Sequence, residues 1–145
     1  MCYNWLYKNN KVGFVKVFIT QWALDSYLNL KHEQLFSEDY YRETLRPDVL
    51  RLKNYPNDPK FDVGKFWSPV KLNKNVIQSG YKMKWHQVGN GKVQLRLPVC
   101  ISGDAYLCEA YVKRDEKLER RKLAKFKTHI QLIEEGRFSI CGELS

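Results

Sequence analysis

Residues 81–101 read YKMKWHQVGNGKVQLRLPVCI and contain the clearest structural pattern of the chain. Two runs of alternating side chains, Tyr81–Val88 and Lys92–Ile101, flank a glycine–asparagine–glycine sequence at 89–91. Glycine and asparagine accept the positive φ angles of a tight hairpin turn, and successive residues of a strand point to opposite faces of a sheet. The stretch therefore predicts an antiparallel β-hairpin in which each side chain can be assigned to one face.

Further elements are predicted on both sides of this hairpin. Lys65–Leu72 and Ala105–Lys113 have the composition of strands, the first at a sheet edge because it contains a proline. Asp115 is a suitable N-cap for a helix over Glu116–Glu135, which a glycine ends. Residues 137–141 are compatible with a short final strand. The second half of the chain is therefore predicted as a meander of strands with a long helix after it.

The first half of the chain combines one predicted strand with short helices. A β-branched and aromatic run predicts a strand over Val12–Ile19, and the threonine after it can cap a helix over Gln21–Leu30. Pro47 suits the first turn of a helix but disrupts a helix interior. Two short helices are therefore expected, over Ser37–Leu45 and Arg46–Asn54.

The length of 145 residues and this order of elements predict a single domain over residues 1–145. Strands and helices are grouped along the chain instead of alternating regularly, which is typical of the α+β class. We expect a mostly antiparallel sheet of four to five strands. The N-terminal helices and the C-terminal helix are expected to pack on one of its faces.

Positive charge is concentrated in one segment of the chain. Lysines and arginines number 25 against 16 aspartates and glutamates, a net charge of +9, and residues 60–127 hold 16 of the basic and six of the acidic residues. This segment therefore carries the whole excess. A concentrated positive field favours a polyanionic partner, because cations that neutralise phosphates release counterions. RNA or DNA is favoured over the alternative, a basic surface that serves solubility alone.

Composition and motifs exclude several classes of protein. Aromatic residues at 14% and charged residues at 28% are typical of a folded domain, and no apolar run has the length of a membrane span. The start of the chain shows no signal-peptide pattern, so a cytoplasmic location without a membrane partner is expected. No cysteine pair has the spacing of a zinc site, and no phosphate loop is present. Neither a metal nor a cofactor is expected.

Strand alternation places basic and proton-transferring side chains together on one face of the meander. Cations there can bind phosphates and stabilise the charge that develops on a scissile phosphate. An imidazole or a phenol can transfer a proton to or from a ribose hydroxyl or a leaving oxygen. An ordinary solvated sheet face is the alternative. The candidate catalytic residues are Lys82, Lys84, His86, Arg96 and Tyr111, with Glu109 as the one acidic side chain expected beside them.

A second basic cluster lies around the start of the predicted C-terminal helix. Charged runs on a helix are most often simply solvated, but few acidic residues accompany this one. The shortage favours a contact with phosphates or with an acidic partner, and such a contact positions RNA instead of cleaving it. The candidate RNA-binding residues are Lys113, Arg114, Arg120, Arg121 and Lys125.

Two stretches give the chain a likeness to a known family. Residues 17–20 read VFIT and precede a predicted helix, and residues 105–114 read AYLCEAYVKR and precede a basic helix. The first resembles the opening of toxins of the bacterial RelE/ParE superfamily. The second is similar to the last strand and C-terminal helix of its HigB-like and YafO-like members. The likeness covers most of the chain as an order of elements but few positions as residues.

The resemblance implies a single RelE/ParE-like domain that is the toxin of a toxin–antitoxin pair. Such a toxin is an endoribonuclease that cleaves mRNA on the ribosome without a metal, so its partners are ribosome-bound mRNA and a cognate antitoxin. The ParE branch implies inhibition of gyrase instead. The chain is longer than the minimal toxins, with additional helix around residues 37–54. Side chains at plausible active-site positions are Lys82, Lys84, His86, Arg96 and either Tyr111 or Lys113.

Two non-catalytic functions stay open. The same sheet face can bind RNA, DNA or an acidic protein without cleaving it, and such binding would weaken with salt. Alternatively, the chain is an immunity or antitoxin-like protein that neutralises an acidic partner, and its expression is then harmless. Growth arrest on expression would separate the toxin from both.

Overall fold

The computed structural model describes residues 14–89 and 91–145. Within these ranges the chain forms one seven-stranded, mostly antiparallel sheet. Its strands are β1 (Val17–Thr20), β2 (Trp67–Leu72), β3 (Asn75–Val88), β4 (Val93–Ser102), β5 (Asp104–Leu107), β6 (Tyr111–Val112) and β7 (Ile140–Glu143). They lie in the order β2-β3-β4-β5-β1-β7, and β6 also pairs with β4. The predicted α+β class is confirmed.

The helices lie between β1 and β2 and between β6 and β7. They are α1 (Gln21–His32), α2 (Glu38–Tyr40), α3 (Arg46–Leu50) and α4 (Glu116–Glu134). A π-helical turn joins α2 to α3, and 3-10 turns follow over Arg51–Asn54 and Pro59–Asp62. The two helices predicted over Ser37–Leu45 and Arg46–Asn54 are not separated: helical geometry continues through Leu45 and Arg46, and Pro47 is the second residue of α3, which follows the π-helical turn directly.

The predicted hairpin is confirmed: β3 and β4 are antiparallel neighbours in the sheet. Lys84 pairs with Arg96 across it, and the two glycines of the turn have φ angles of +69° and +80°. Position 90 of the turn lies outside the described residues. β3 begins at Asn75, earlier than the predicted Tyr81, and the added length pairs with β2. The hairpin therefore fixes which side chains share a face.

The sheet has more strands than the predicted four to five. The strand predicted over Ala105–Lys113 divides into β5 and β6, because residues 108–110 lack strand geometry. The predicted final strand forms as β7 and pairs with β1, which lies parallel to β5. These pairings join segments far apart in sequence, so no local pattern reveals them. Of the strand predicted over Val12–Ile19, positions 12 and 13 lie outside the described residues.

Helices cover both faces of the sheet, so the prediction of one covered face is wrong. Alternate residues of β4 are buried in different cores: Leu97 packs with α1 and the helical segment 38–54, and Cys100 packs with α4. The apolar stripe of α4 must be buried, and the N-terminal helices already occupy the other face. The stripe consists of Leu123, Phe126, Ile130 and Ile133.

Two contacts determine where α4 lies over the sheet. Asp115 caps its first turn, and its Oδ1 accepts a hydrogen bond from the Leu118 N–H at 2.7 Å. Farther along, α4 passes close to Gly80 of β3, where an added Cβ would lie 3.0 Å from Ile130 Cδ1 and 3.1 Å from Phe126 Cε2. A glycine at this position therefore lets the helix approach the strand. The first turns of α4 then lie beside the basic residues of β3 and β4.

Candidate functional site

An open groove lies between strands β2–β4 and the first turns of α4. Its volume is about 340 Å³. Most of its charged lining consists of residues predicted from strand alternation, and Lys71 is an addition from β2. We call it the lysine groove, and its basic residues are Lys71, Lys82, Lys84, His86, Arg96, Lys113 and Arg120.

Strand register brings these side chains together. Lys84 of β3 lies directly opposite Arg96 of β4, and Arg96 lies opposite Tyr111 of β6. Lys82 is two residues from Lys84 and therefore points to the same face. Like charges opposite each other destabilise a sheet. The Lys84–Arg96 pair therefore opposes folding and indicates a role other than stability.

Glu119 is the acidic centre of the lysine groove, and reasoning from the sequence did not identify it as a site residue. It lies in the first turn of α4 with 6% of its surface exposed. Its Oε2 accepts a hydrogen bond from the Tyr111 hydroxyl at 2.6 Å and lies 3.4 Å from Lys82 Nζ, and its Oε1 lies 3.6 Å from Lys113 Nζ. Its position four residues before Leu123 places it on the buried stripe, which is the signal that could have found it.

The surroundings of Glu119 keep it ionised. Burial alone would raise the pKa of its carboxyl group, but the Tyr111 hydrogen bond and the charges of Lys82 and Lys113 outweigh burial, and the pKa lies below its ordinary value. A carboxylate can therefore persist under the helix at neutral pH.

Tyr111 does not lie on an open sheet face, which corrects the expectation from alternation. Only 3% of its surface is exposed, because α4 covers this part of β6. Burial and the hydrogen bond to Glu119 raise its pKa well above the ordinary value. The phenol is therefore protonated and committed to Glu119, behind the groove surface.

Arg96 is also more buried than predicted, with 4% of its surface exposed. Its Nη1 donates to the carbonyl oxygens of Trp85 and Leu95 at 3.3 and 3.2 Å, and its Nη2 donates to Gln94 Oε1 at 3.0 Å. Within the described ranges its Nε has no hydrogen-bond partner. Arg96 therefore supplies a fixed positive charge at the floor of the groove.

Lys84 is half-buried and forms no ion pair with a carboxylate in the part of the chain that the structure describes. Burial, and after it the charges of Lys82 and Arg96, hold its pKa below the ordinary value. A bound anion would strongly stabilise the charged form of this ammonium group, because other cations surround it. A lowered pKa also makes it a better proton donor.

His86 lies at the exposed end of the groove. Its Nε2 is 2.6 Å from the carbonyl oxygen of Lys65. A carbonyl oxygen only accepts, so Nε2 carries a proton, and in the neutral ring Nδ1 is then free to accept one. The imidazole is therefore oriented by the backbone of the segment before β2.

The predicted RNA-binding cluster of α4 divides between two places. Lys113 and Arg120 line the lysine groove, whereas Arg114 and Lys125 line a second pocket of about 480 Å³ between α1 and α4. Glu109, expected on the same sheet face as the lysines, lines this second pocket instead. It pairs with Lys122 at 2.7 Å and Lys125 at 3.1 Å. Arg121 is exposed and lines neither.

Two further findings concern the described ranges as a whole. They contain no group of three or more histidine, cysteine, aspartate or glutamate side chains arranged to hold a metal ion. None of their helices is both long and apolar enough to cross a bilayer.

The chain matches no known protein-family model and no curated protein sequence. The functional argument therefore depends on the geometry and charge of the lysine groove.

Proposed function

We propose that the chain binds RNA in the lysine groove and cleaves it there. It would act as a RelE/ParE-like endoribonuclease on ribosome-bound mRNA, the toxin of a pair with a cognate antitoxin. The observation that carries the proposal is the Lys84–Arg96 pair, two cations held opposite each other at the floor of an open groove. Such repulsion is relieved when a phosphate lies between the cations and the solvent.

The charge of the lysine groove matches a nucleic-acid backbone better than a neutral ligand. Its basic residues outnumber its acidic ones, which are Glu116 and Glu119. Lysines and arginines that neutralise phosphates provide most of the affinity of such sites, and they provide it without reading the sequence. Binding is expected to weaken steeply as salt is added.

The groove also holds groups that can perform the reaction. Attack of a ribose 2′-oxygen on the adjacent phosphorus forms a 2′,3′-cyclic phosphate and breaks the bond to the 5′-oxygen. His86 Nδ1 would take the proton of the 2′-hydroxyl, and the Lys84 ammonium would give a proton to the departing 5′-oxygen. The fixed positive charge of Arg96 would stabilise the charge that develops on the phosphate oxygens.

Cleavage of mRNA on purified ribosomes tests this proposal. The wild-type chain should produce fragments ending in a cyclic phosphate, and Lys84→Met combined with His86→Gln should lower the rate at least about 100-fold, in the range of general acid–base contributions. Lys53→Met, an exposed lysine near the opposite face, is the matched control and should cleave normally. If folded wild-type protein leaves the mRNA intact, the proposed nuclease activity is wrong.

Growth of expressing cells tests the cellular part of the proposal separately. Expression of the wild-type chain should arrest growth, and the Lys84→Met, His86→Gln variant should not. Normal growth with abundant soluble wild-type protein would exclude a toxin.

A second candidate function is RNA binding without cleavage. It is favoured by the positions of Arg96 and Tyr111, because both side chains donate hydrogen bonds to other groups of the protein. In this case the groove would bind a phosphate backbone with strong salt dependence, and no RNA would be cut. An immunity or antitoxin-like role would instead predict binding to an acidic protein and harmless expression.

A further inference from the structure

Glu119 divides the cations of the lysine groove into two groups. Lys82 and Lys113 each lie within ion-pair distance of its carboxylate, at 3.4 and 3.6 Å. Within the described ranges, neither Lys84 nor Arg120 forms an ion pair with an acidic residue. Glu119 therefore pairs with Lys82 and Lys113, whereas Lys84 and Arg120 have no carboxylate partner in these ranges.

The Glu119 carboxylate is held in place by polar contacts. The Tyr111 hydroxyl, which is buried, donates to Oε2 at 2.6 Å. Hydrogen bonds to a charged acceptor are shorter and stronger than neutral ones. Lys113 additionally contacts Glu116 at 3.6 Å, so its ammonium is held between two acids. The carboxylate and its partners therefore form one hydrogen-bonded and ion-paired cluster.

We propose that Glu119 is a positioning residue, which withholds Lys82 and Lys113 from the ligand and confines a phosphate to the Lys84 side of the groove. The inference rests on the proposed binding of RNA and adds where the phosphate lies. A backbone held at one position presents one ribose to His86. Without the carboxylate, two more ammonium groups would compete for the same phosphate and RNA would bind in several registers.

Nuclear magnetic resonance of the lysine ε-carbons tests the position directly, with inorganic phosphate as the probe. In the wild-type chain, phosphate should shift the Lys84 signal and leave the Lys82 and Lys113 signals nearly in place. In Glu119→Gln, which keeps the shape but removes the charge, all three signals should shift. Equal shifts of the three lysines in the wild type would overturn the positioning role.

A second measurement compares Glu119→Gln with Glu43→Gln, which makes the same charge change at an exposed position outside the groove. Both variants should bind a single-stranded RNA more tightly, because each adds one net positive charge. Only Glu119→Gln should cleave more slowly, by about 10-fold or more, since only it loses the defined register. Equal cleavage by the two variants would mean that Glu119 supplies charge and no positioning.

Tyr111→Phe protects the test against misfolding of the Glu119 variant. It removes the hydrogen bond that holds the carboxylate but keeps its charge, so the Lys82 signal should begin to respond to phosphate. No response would count against the inference. A folded wild-type chain that binds neither phosphate nor RNA would instead overturn the proposed function itself.

Discussion

Strand β3 contributes to two buried clusters of charge, one on each face of the sheet. On one face, Trp85 donates its indole N–H to Asp48 Oδ2 at 2.9 Å, and on the other Lys82 contacts Glu119. The two carboxylates are nearly equally shielded, with 5% of Asp48 and 6% of Glu119 exposed. They differ in the charges around them.

The Asp48 cluster is balanced within itself. Lys60 Nζ and Arg51 Nε lie 2.8 and 3.1 Å from Asp48 Oδ1, and Arg51 Nη1 lies 2.9 Å from Asp58 Oδ2. Two cations thus meet two carboxylates, and each donor has an acceptor. Such a network fastens the 3-10 turns to the sheet and leaves no charge for a ligand.

The lysine groove also combines a buried carboxylate with several cations, but its cations outnumber its acidic residues. Glu119 has three polar partners, as Asp48 has, but Lys84, Arg96 and Arg120 have no carboxylate partner in the described ranges. Where acids and bases are matched, the charges serve the fold. Where cations are in excess around an open groove, we expect the balancing anion to be a bound ligand. The comparison therefore predicts that mutations in the two clusters have opposite effects on stability and on binding.

The largest effect is expected for Asp48→Ala. The change leaves the buried Trp85 N–H without an acceptor and removes the ion pairs of Lys60 and Arg51, which should lower the free energy of unfolding by about 2–3 kcal/mol. Urea unfolding followed by tryptophan fluorescence measures this. Asp62→Ala, at an exposed position of the neighbouring 3-10 turn, should change it by less than about 0.5 kcal/mol. Similar losses in the two variants would break the comparison.

The same lysine-to-methionine change on the two faces should act in opposite directions. Lys60→Met removes a contact to a buried carboxylate and should cost about 1–2 kcal/mol. Lys84→Met removes repulsion with Arg96 and should leave stability unchanged or raise it by up to about 0.5 kcal/mol. Thermal and urea unfolding of both variants measure these changes. A clear loss of stability in Lys84→Met would contradict the repulsion proposed between Lys84 and Arg96.

Binding should respond in the reverse order. Lys84→Met is expected to weaken single-stranded RNA binding about 10-fold and to reduce the slope of log K against log salt by about 0.7, the contribution of one phosphate contact. Lys60→Met should leave both quantities unchanged once folded protein is compared. Fluorescence anisotropy at several salt concentrations measures them. An unchanged slope in Lys84→Met would place the phosphate elsewhere.

The smallest effect concerns pH. The pKa of Glu119 is lowered in the folded chain, so its ionised form adds stability above the ordinary value of 4.5, and this contribution is lost as pH falls through the lowered folded value. Wild type should therefore exceed Glu119→Gln in stability at neutral pH, and the difference should shrink below about pH 4.5. A difference that stays constant down to pH 3 would contradict an ionised Glu119.

Local periodicity predicted part of this arrangement well. The hairpin turn and strand alternation were sufficient to place Lys82, Lys84 and Arg96 on one face, because both are short-range features. The Asp115 cap and the extent of α4 also follow from adjacent residues.

The rest depended on contacts between distant segments. Tyr111 is buried only because α4 covers β6, and alternation within one strand contains no information about a covering helix. Glu119 lies on the apolar stripe of α4, so helical periodicity placed it inward, but its partners come from β3 and β6. The parallel pairing of β1 with β5 joins residues almost 90 positions apart, which no local pattern encodes.

The glycine at position 80 secures the seating of α4 at a point far from the groove. Ile130, whose Cδ1 would lie 3.0 Å from a Cβ at position 80, is about 16 Å along the helix from Glu119 at 1.5 Å per residue. A methyl group there would meet the ends of the Ile130 and Phe126 side chains, which would have to shift by a few tenths of an ångström. The close packing of one half of α4 thus depends on a residue outside the groove lining.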